Sequence, residues 1–269
     1  MSKGSLTFVG LGLFDEKDIS LKGLEEIEKC DKVFAEFYTA KLIGTNIKKI
    51  EKEYGKKIEI LSREETEKGN KILRATETEN VCFLSGGDPM NATTHVDLRI
   101  RAIEKGINTK IIHGSSISTA VPGLLGLQNY KFGRTTTLAY PEKDYFPTSP
   151  YDMIMKNKEM DLHSLILLDI QEDRKRYMTA NEGMELLIRM EEKKKKGIIT
   201  KNTIVCIVAQ AGSEKPIVLA GLIHDLIKKD FGPPLHSLVI PGKLHFIEIE
   251  ALKLLAQLPT QEALNLQKL

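Results

Sequence analysis

The sequence predicts an α/β protein of two domains, a parallel doubly wound sheet followed by a mixed sheet. Three observations carry this expectation. Short apolar runs alternate with segments of helical periodicity from residue 5 to about residue 113, the signature of repeated strand and helix units. Glycine-rich or small-residue turns follow three of those runs, where a strand hands over to a helix. Beyond them strands come in closer succession, which favours antiparallel neighbours among parallel ones. With 269 residues, 41% apolar and 28% charged, the chain can bury a core in each of two domains.

Taken in order, Ser5 to Val9 is a buried strand. Gly10 and Gly12 turn it towards a helix starting near Ser20, with Leu21, Leu24 and Ile27 at helical spacing. Lys32 to Phe37 is a second strand, Asn46 to Tyr54 a short helix and Lys57 to Leu61 a third strand. Ser62 and Glu65 form a capping box that opens a helix through Arg74. Val81 to Leu84 is a compact strand ending in SGGDP, His95 to Lys105 a helix stopped at Gly106, and Thr109 to His113 the next strand. The stretch HGSSISTAVPGLLGLQNYKFG, rich in small residues, carries the domain boundary, so that residues 1–114 and 115–269 form the two domains.

In the second half, Thr135 to Tyr140 reads as a strand, followed by a loop broken by Pro141, Pro147 and Pro150 and a helix from Tyr151. Ser164 to Ile170 is a strand, and Thr179 with Glu182 caps a helix to about Lys195. Strands at Thr203 to Gln210 and Pro216 to Ala220 precede a helix from Leu222 to Lys229. The last strand is Ser237 to Ile240, and a final helix carries Ile249, Leu252 and Leu255.

The net charge of +2 does not favour nucleic acid as the main partner. Lys193 to Lys196 reads as a solvated helix end, favourable to the macrodipole. Cys30, Cys82 and Cys206 are odd in number and far apart, against a disulfide framework and for a reducing compartment. Six scattered histidines and the absence of CxxC or HExxH give a metal little support. No run nears the ~20 apolar residues that span a bilayer. The expectation is a soluble, cytoplasmic protein without a membrane partner.

Three turns lie at strand ends: GLGLFDEKD, SGGDPMNATTH and HGSSIST. In an open α/β sheet ligands bind outside the carboxyl ends of the strands, so the three are expected to face one cavity. A dinucleotide fingerprint would need a third glycine where Asp15 stands, and a carboxylate there repels pyrophosphate. The phosphate loop GxxxxGK[ST] is absent, and GSSIS lacks the second glycine of a nucleophile elbow. A ligand without phosphates therefore suits these turns better. His95 and His113 beside the turns, and His236 at a strand start, read first as structural histidines.

Together GLGLFDEKDIS, KCDKVFAEFYT, LSRE, GDPMNATTH, YKFGRTTTLAYPE, FPTSPYD, LLDI, MTANEGMELL, QAGS and VIPGKLH, in this order, resemble the diphthine synthase family of the tetrapyrrole-methylase superfamily. GDP alone points only to the superfamily, whereas FAEFYT, MTANE and PGKLH are particular to this branch. The resemblance implies two α/β domains of the tetrapyrrole-methylase type with S-adenosylmethionine in a cleft between them, S-adenosylhomocysteine as product, and a homodimer. It further implies methylation of the amino group of 2-(3-carboxy-3-aminopropyl)histidine on translation elongation factor 2, up to the trimethylammonium form.

Carried over by motif, the implied cofactor contacts are Leu13, Asp88, Asn91, Ser116, Ile117, Leu168, Ala211 and His236. Most of these act through backbone groups. Asn91 replaces a familiar aliphatic residue, and SGGDP a more usual proline-containing approach. No catalytic residue follows from the resemblance, although each of the first two methylations leaves a cation that must lose a proton to water or to a side chain. Ala139 to Tyr151 is a candidate acceptor contact whose flexibility gates access. A tetrapyrrole or ribosomal RNA methylase, a non-catalytic nucleotide-binding module and a nicotinamide oxidoreductase remain alternative readings of the residues.

Overall fold

The computed structural model describes residues 4–142 and 145–267. Two compact units part between Ile117 and Ser118.

The first unit runs β1 (Ser5–Gly10), α1 (Leu21–Lys29), β2 (Lys32–Glu36), α2 (Ile47–Tyr54), β3 (Ile58–Ile60), α3 (Arg63–Lys68), α4 (Asn70–Ala75), β4 (Asn80–Ser85), α5 (His95–Glu104) and β5 (Asn108–Ile112). Its five strands pair in the order β3-β2-β4-β1-β5, all parallel. Both faces are covered, as a parallel sheet requires. One face stacks Val9, Val33, Cys82 and Leu84 with Ile27 of α1 and Ile50 and Tyr54 of α2. The other stacks Leu6, Phe8, Phe34 and Phe83 with Leu61, Ile72 and Leu98. In register, Phe83 lies beside both Phe8 and Phe34. Burying each ring stabilises the unit by roughly 1.5–3 kcal/mol.

Local chemistry sets the helix ends. Ser20 Oγ accepts from Gly23 N and starts α1. The Ser62/Glu65 capping box is present, yet the helix expected through Arg74 is two, because Gly69 (φ +65°) breaks it. A Cβ there would sit 2.6 Å from Leu98 Cδ1, so the bend lets this backbone close on α5.

A further helix, α6 (Ile117–Leu125), lies in the stretch read as a boundary. Its Ser118, Pro122 and Gly123 hid it, since their intrinsic helix preferences are poor. The second unit continues with β6 (Thr136–Leu138), α7 (Ser149–Glu159), β7 (Ser164–Leu168), β8 (Ile170–Gln171), β9 (Arg176–Tyr177), α8 (Ala180–Lys194), β10 (Ile204–Ala209), β11 (Ile217–Leu222), α9 (Ile223–Leu226), β12 (His236–Ile240), α10 (Phe246–Leu255) and α11 (Thr260–Gln267). The sheet order is β11-β10-β12-β7-β6, with β6 and β7 parallel and the other pairs antiparallel. This is the mixed sheet the close strand succession suggests.

Several boundaries differ from expectation. The strand through Ile170 ends at Leu168, and the small β8-β9 ribbon follows. Leu222 belongs to β11, which shortens the helix after it. The single final helix is two, α10 and α11. Pro150 sits in the first turn of α7, where its missing N–H costs nothing. Lys143 and Asp144, inside the segment expected to gate access, lie outside the described residues.

Below the second sheet a buried carboxylate explains the PGKLH motif. Glu248 accepts from Gln128 N (2.9 Å), His163 Nε2 (3.0 Å), His245 N (2.8 Å) and Lys131 Nζ (2.5 Å). His163 Nδ1 accepts in turn from Gly242 N at 3.0 Å. The donors and the lysine charge hold the Glu248 carboxyl down at about 2 against its burial. PGKLH is thus tied to YKFG by structure rather than by chemistry.

Candidate functional site

At the carboxyl end of the first sheet the loops after β1, β4 and β5 share one backbone cluster. A Cβ on Gly10 would lie 2.5 Å from Gly87 O and 2.6 Å from Gly114 N. One on Gly114 would lie 2.4 Å from Gly87 O. Gly12 and Gly87 exchange main-chain hydrogen bonds, 2.6 Å from Gly87 N to Gly12 O and 3.3 Å in return. Only glycine permits this approach. Gly87 itself (φ +69°) has no atom closer than 4.0 Å to its own Cβ position, which leaves room for a ligand against its main chain.

Asp88 organises the second loop. Its Oδ1 accepts from Met90 N (2.9 Å), and its Oδ2 from Gly114 N (3.3 Å) and His113 Nδ1 (2.7 Å). The carboxylate therefore stitches the β4 loop to the β5 loop, while His113 stays 72% exposed. With Nδ1 held by Asp88, Nε2 is the His113 ring nitrogen left to other partners.

The opening turn is held by its own acid. Asp18 Oδ2 accepts from the N–H groups of Leu13 (3.2 Å), Phe14 (2.6 Å) and Asp15 (3.3 Å). In a dinucleotide fold such amides would face a pyrophosphate. Here they already hold an internal anion, which agrees with the rejection of that reading. Glu16 is buried and paired with Lys49 at 2.7 Å, and its hydrogen bonds hold it down at about 2 against burial. The acidic run after GLGL shapes the backbone.

Leu13, Asp88, Asn91 and Ser116 fall on these three loops and Ile117 opens α6 directly after the third, at one end of the first sheet. Asn91 N donates to Asp88 O at 3.2 Å, and its side chain is exposed. Ser116 is buried.

Leu168, Ala211 and His236 gather at one end of the second sheet. Leu168 closes β7, Ala211 follows β10, and His236 opens the antiparallel β12 opposite Ala209. His236 Nδ1 accepts from Ala180 N at 3.0 Å and its Nε2–H donates to Pro233 O at 3.2 Å. Burial lowers its pKa, so the ring stays neutral. Both ring nitrogens are engaged, and this histidine caps α8. Beside it, Thr179 and Glu182 complete the capping box of MTANE. Gln210 (φ +54°) and Gly212 (φ +92°) shape the QAGS turn, with Gln210 N donating to Leu235 O at 3.1 Å.

Residues 5–227 match the profile of the Tetrapyrrole (Corrin/Porphyrin) Methylases. A diphthine synthase of Methanocaldococcus jannaschii is 52% identical over 94% of this chain and 99% of its own. One of Methanosarcina barkeri is 54% identical over 93% and 96%. The chain belongs to the diphthine synthase family. A crystal structure of a diphthine synthase superposes with a TM-score of 0.88 at 39% identity, covering 96% of this chain and 98% of that one. This family member is accordingly a methyltransferase of diphthamide biosynthesis with the tetrapyrrole-methylase fold.

Sequence reasoning missed two features of the site. One is Asp18, whose clamp on three amides is a through-space contact that no motif signals. The other is a buried pair, Glu36 and His95, from FAEFYT and GDPMNATTH. Glu36 is wholly buried, and accepts from Tyr38 N (3.0 Å), Thr39 N (3.1 Å) and Thr39 Oγ1. The charged spacing FAEFYT was a visible signal, because a lone glutamate rarely ends a buried strand without a partner.

Proposed function

We propose that this chain transfers methyl groups from S-adenosylmethionine to the amino group of 2-(3-carboxy-3-aminopropyl)histidine on translation elongation factor 2, through to the trimethylammonium product, diphthine. The supporting observation is the three-loop glycine cradle with its GDPMN acid, set in a chain that keeps 52% identity to a diphthine synthase along 94% of its length. The cradle suits a ligand that meets main chain and has no phosphate.

Leu13, Asp88, Asn91, Ser116 and Ile117 would hold the methyl donor, and the family motifs add Leu168, Ala211 and His236 to its contacts. Because the Leu13 N–H is taken by Asp18 and both His236 ring nitrogens are engaged, Leu13 serves through its carbonyl and His236 through its main chain. The donor supplies an electrophilic methyl carbon on a sulfonium. The chain's part is to orient the amine, exclude water and receive protons. We assign proton acceptance to His113, whose exposed Nε2 is oriented by Asp88. The enzyme works in the cytoplasm as a homodimer, which sedimentation tests.

Mass spectrometry of elongation factor 2 carrying the aminocarboxypropyl-histidine, after incubation with this protein and the donor, tests the reading. A gain of three methyl groups is expected. Four would indicate an added methyl ester, and none, with methylation of a tetrapyrrole or an RNA instead, would overturn the substrate.

A further inference from the structure

The loop after β4 is fixed from within the fold as well as from its neighbours. His95, at the start of α5, is 1% exposed, and its Nδ1–H donates to Pro89 O at 2.9 Å. Thr93 Oγ1 donates to the same carbonyl at 2.7 Å. The ring packs edge-on against Phe83 with centroids 4.9 Å apart. Its second nitrogen, Nε2, is buried with no hydrogen-bond partner among the described residues. Glu36 Oε1 faces it at 3.5 Å.

Glu36 is the last residue of β2, and its carboxylate holds the turn that follows. It shares its sheet row with Ser85 and, through Ser85, with Gly10. Ser85 Oγ is likewise buried without a partner among the described residues. Glu36, Ser85 and His95 thus form a polar cap over the Phe8, Phe34 and Phe83 layer, directly beneath the SGGDP turn. Nothing in the packing of a core demands two ionisable groups here, and hydrophobic residues of similar size would be cheaper.

We infer that Glu36 and His95 are positioning residues of the methyl-donor site, one buried pair that ties the turn of FAEFYT to the GDPMN loop. This rests on the reading of that loop as the donor site. Glu36 fixes the main chain of Tyr38 and Thr39, His95 fixes Pro89 O, and the contact between the two sets the distance between loops. The carbonyl of Pro89 lies one residue from Asp88. A slack pair displaces the acid that joins the β4 and β5 loops.

The protonation states follow from burial. Burial pushes the Glu36 carboxyl up to about 7 and the His95 imidazolium down to about 4. Between these limits both are neutral, so that a proton on Glu36 Oε1 can face the imidazole lone pair across 3.5 Å. Above pH 7 Glu36 ionises against that lone pair. The other titratable groups about it are Tyr38 on its own turn and, beyond Tyr38, Arg63 and Glu67 of α3. Tyr38 stays neutral throughout, pushed up to about 12 by burial and by Glu36.

The test is calorimetry of S-adenosylhomocysteine binding at pH 6.5 and 8.5, with thermal melting of each variant. Glu36→Ala is expected to weaken binding about tenfold, towards the lower end of the range for coupled sites. Glu36→Gln, whose amide donates to His95 Nε2 at every pH, restores it and removes the loss that the wild type shows at pH 8.5. Thr39→Val frees one Glu36 contact with little risk to folding, and is expected to weaken binding several-fold if the alanine variant fails to fold. Wild-type affinity in folded Glu36→Ala or in Thr39→Val, or equal pH profiles for wild type and Glu36→Gln, would overturn the pair's role. A wild-type protein that binds no S-adenosylhomocysteine would overturn the donor site itself, and is told apart by that first titration.

Discussion

Replacing Gly114 by alanine drives a methyl group into the backbones of two neighbouring strand ends at once. The added Cβ would lie 2.4 Å from Gly87 O and 2.8 Å from Gly10 C. Ordinary carbon contacts begin near 3.4 Å, so the loops must separate by about 1 Å. Because every neighbour is main chain, no rotamer change relieves the overlap, and the cost falls in the range of about 1–3 kcal/mol for overpacking. In a chain of this size that lowers the melting temperature by roughly 2–12 °C. The separation also opens the cradle, and S-adenosylhomocysteine binding is expected to weaken at least about tenfold, or about 1.4 kcal/mol. Gly123→Ala is the control, since nothing lies within 4 Å of its Cβ position. It sits inside α6, where alanine gains about 0.5–1 kcal/mol. A Gly114→Ala protein with wild-type melting and affinity would refute the close-approach argument.

Other outcomes follow from the same geometry. The Glu248 carboxyl sits at about 2 against an ordinary 4.5, so its contribution is complete above pH 4.5 and is lost as pH falls towards 2. At about 1.4 kcal/mol per pH unit this is about 3 kcal/mol, and acid titration of Glu248→Gln by circular dichroism should lack that step. Asp18→Ala leaves three turn amides without their acceptor and is expected to cost about 1–3 kcal/mol in chemical denaturation; an unchanged midpoint would show that water serves as well. His113→Gln removes the oriented lone pair, and mass spectrometry should find mono- and dimethylated acceptor accumulating at neutral pH, relieved at pH 9, whereas a wild-type product distribution would free His113 of the proton.

The parts of this protein legible in sequence are those fixed by neighbours in sequence. Ser62 with Glu65 and Thr179 with Glu182 announce their helices through contacts three residues apart. Strand positions and the parallel order of the first half follow from alternating apolar runs. The helix α6 was hidden because its propensity is poor and tertiary packing of Val121, Pro122 and Leu125 decides it. Of the site, the loop residues were legible by motif, since glycine and aspartate mark close backbone approach. Glu36 and His95 were not paired, because 59 positions separate them and only the packing of α5 against the β2-β4 pair brings them together. His236 was placed but not explained, because its partner, Ala180 N, belongs to a helix that sequence spacing cannot bring to it.

The Asp18 clamp has a consequence for ligand choice. A phosphate seeking the amides of Leu13, Phe14 and Asp15 competes with a carboxylate tethered by three to five residues, which is present at an effective concentration in the millimolar range or above. Selection against phosphate-bearing cofactors is then achieved by prior occupancy and needs no steric barrier. A chain built this way is committed to ligands that bring no anion to that turn, whatever their shape elsewhere.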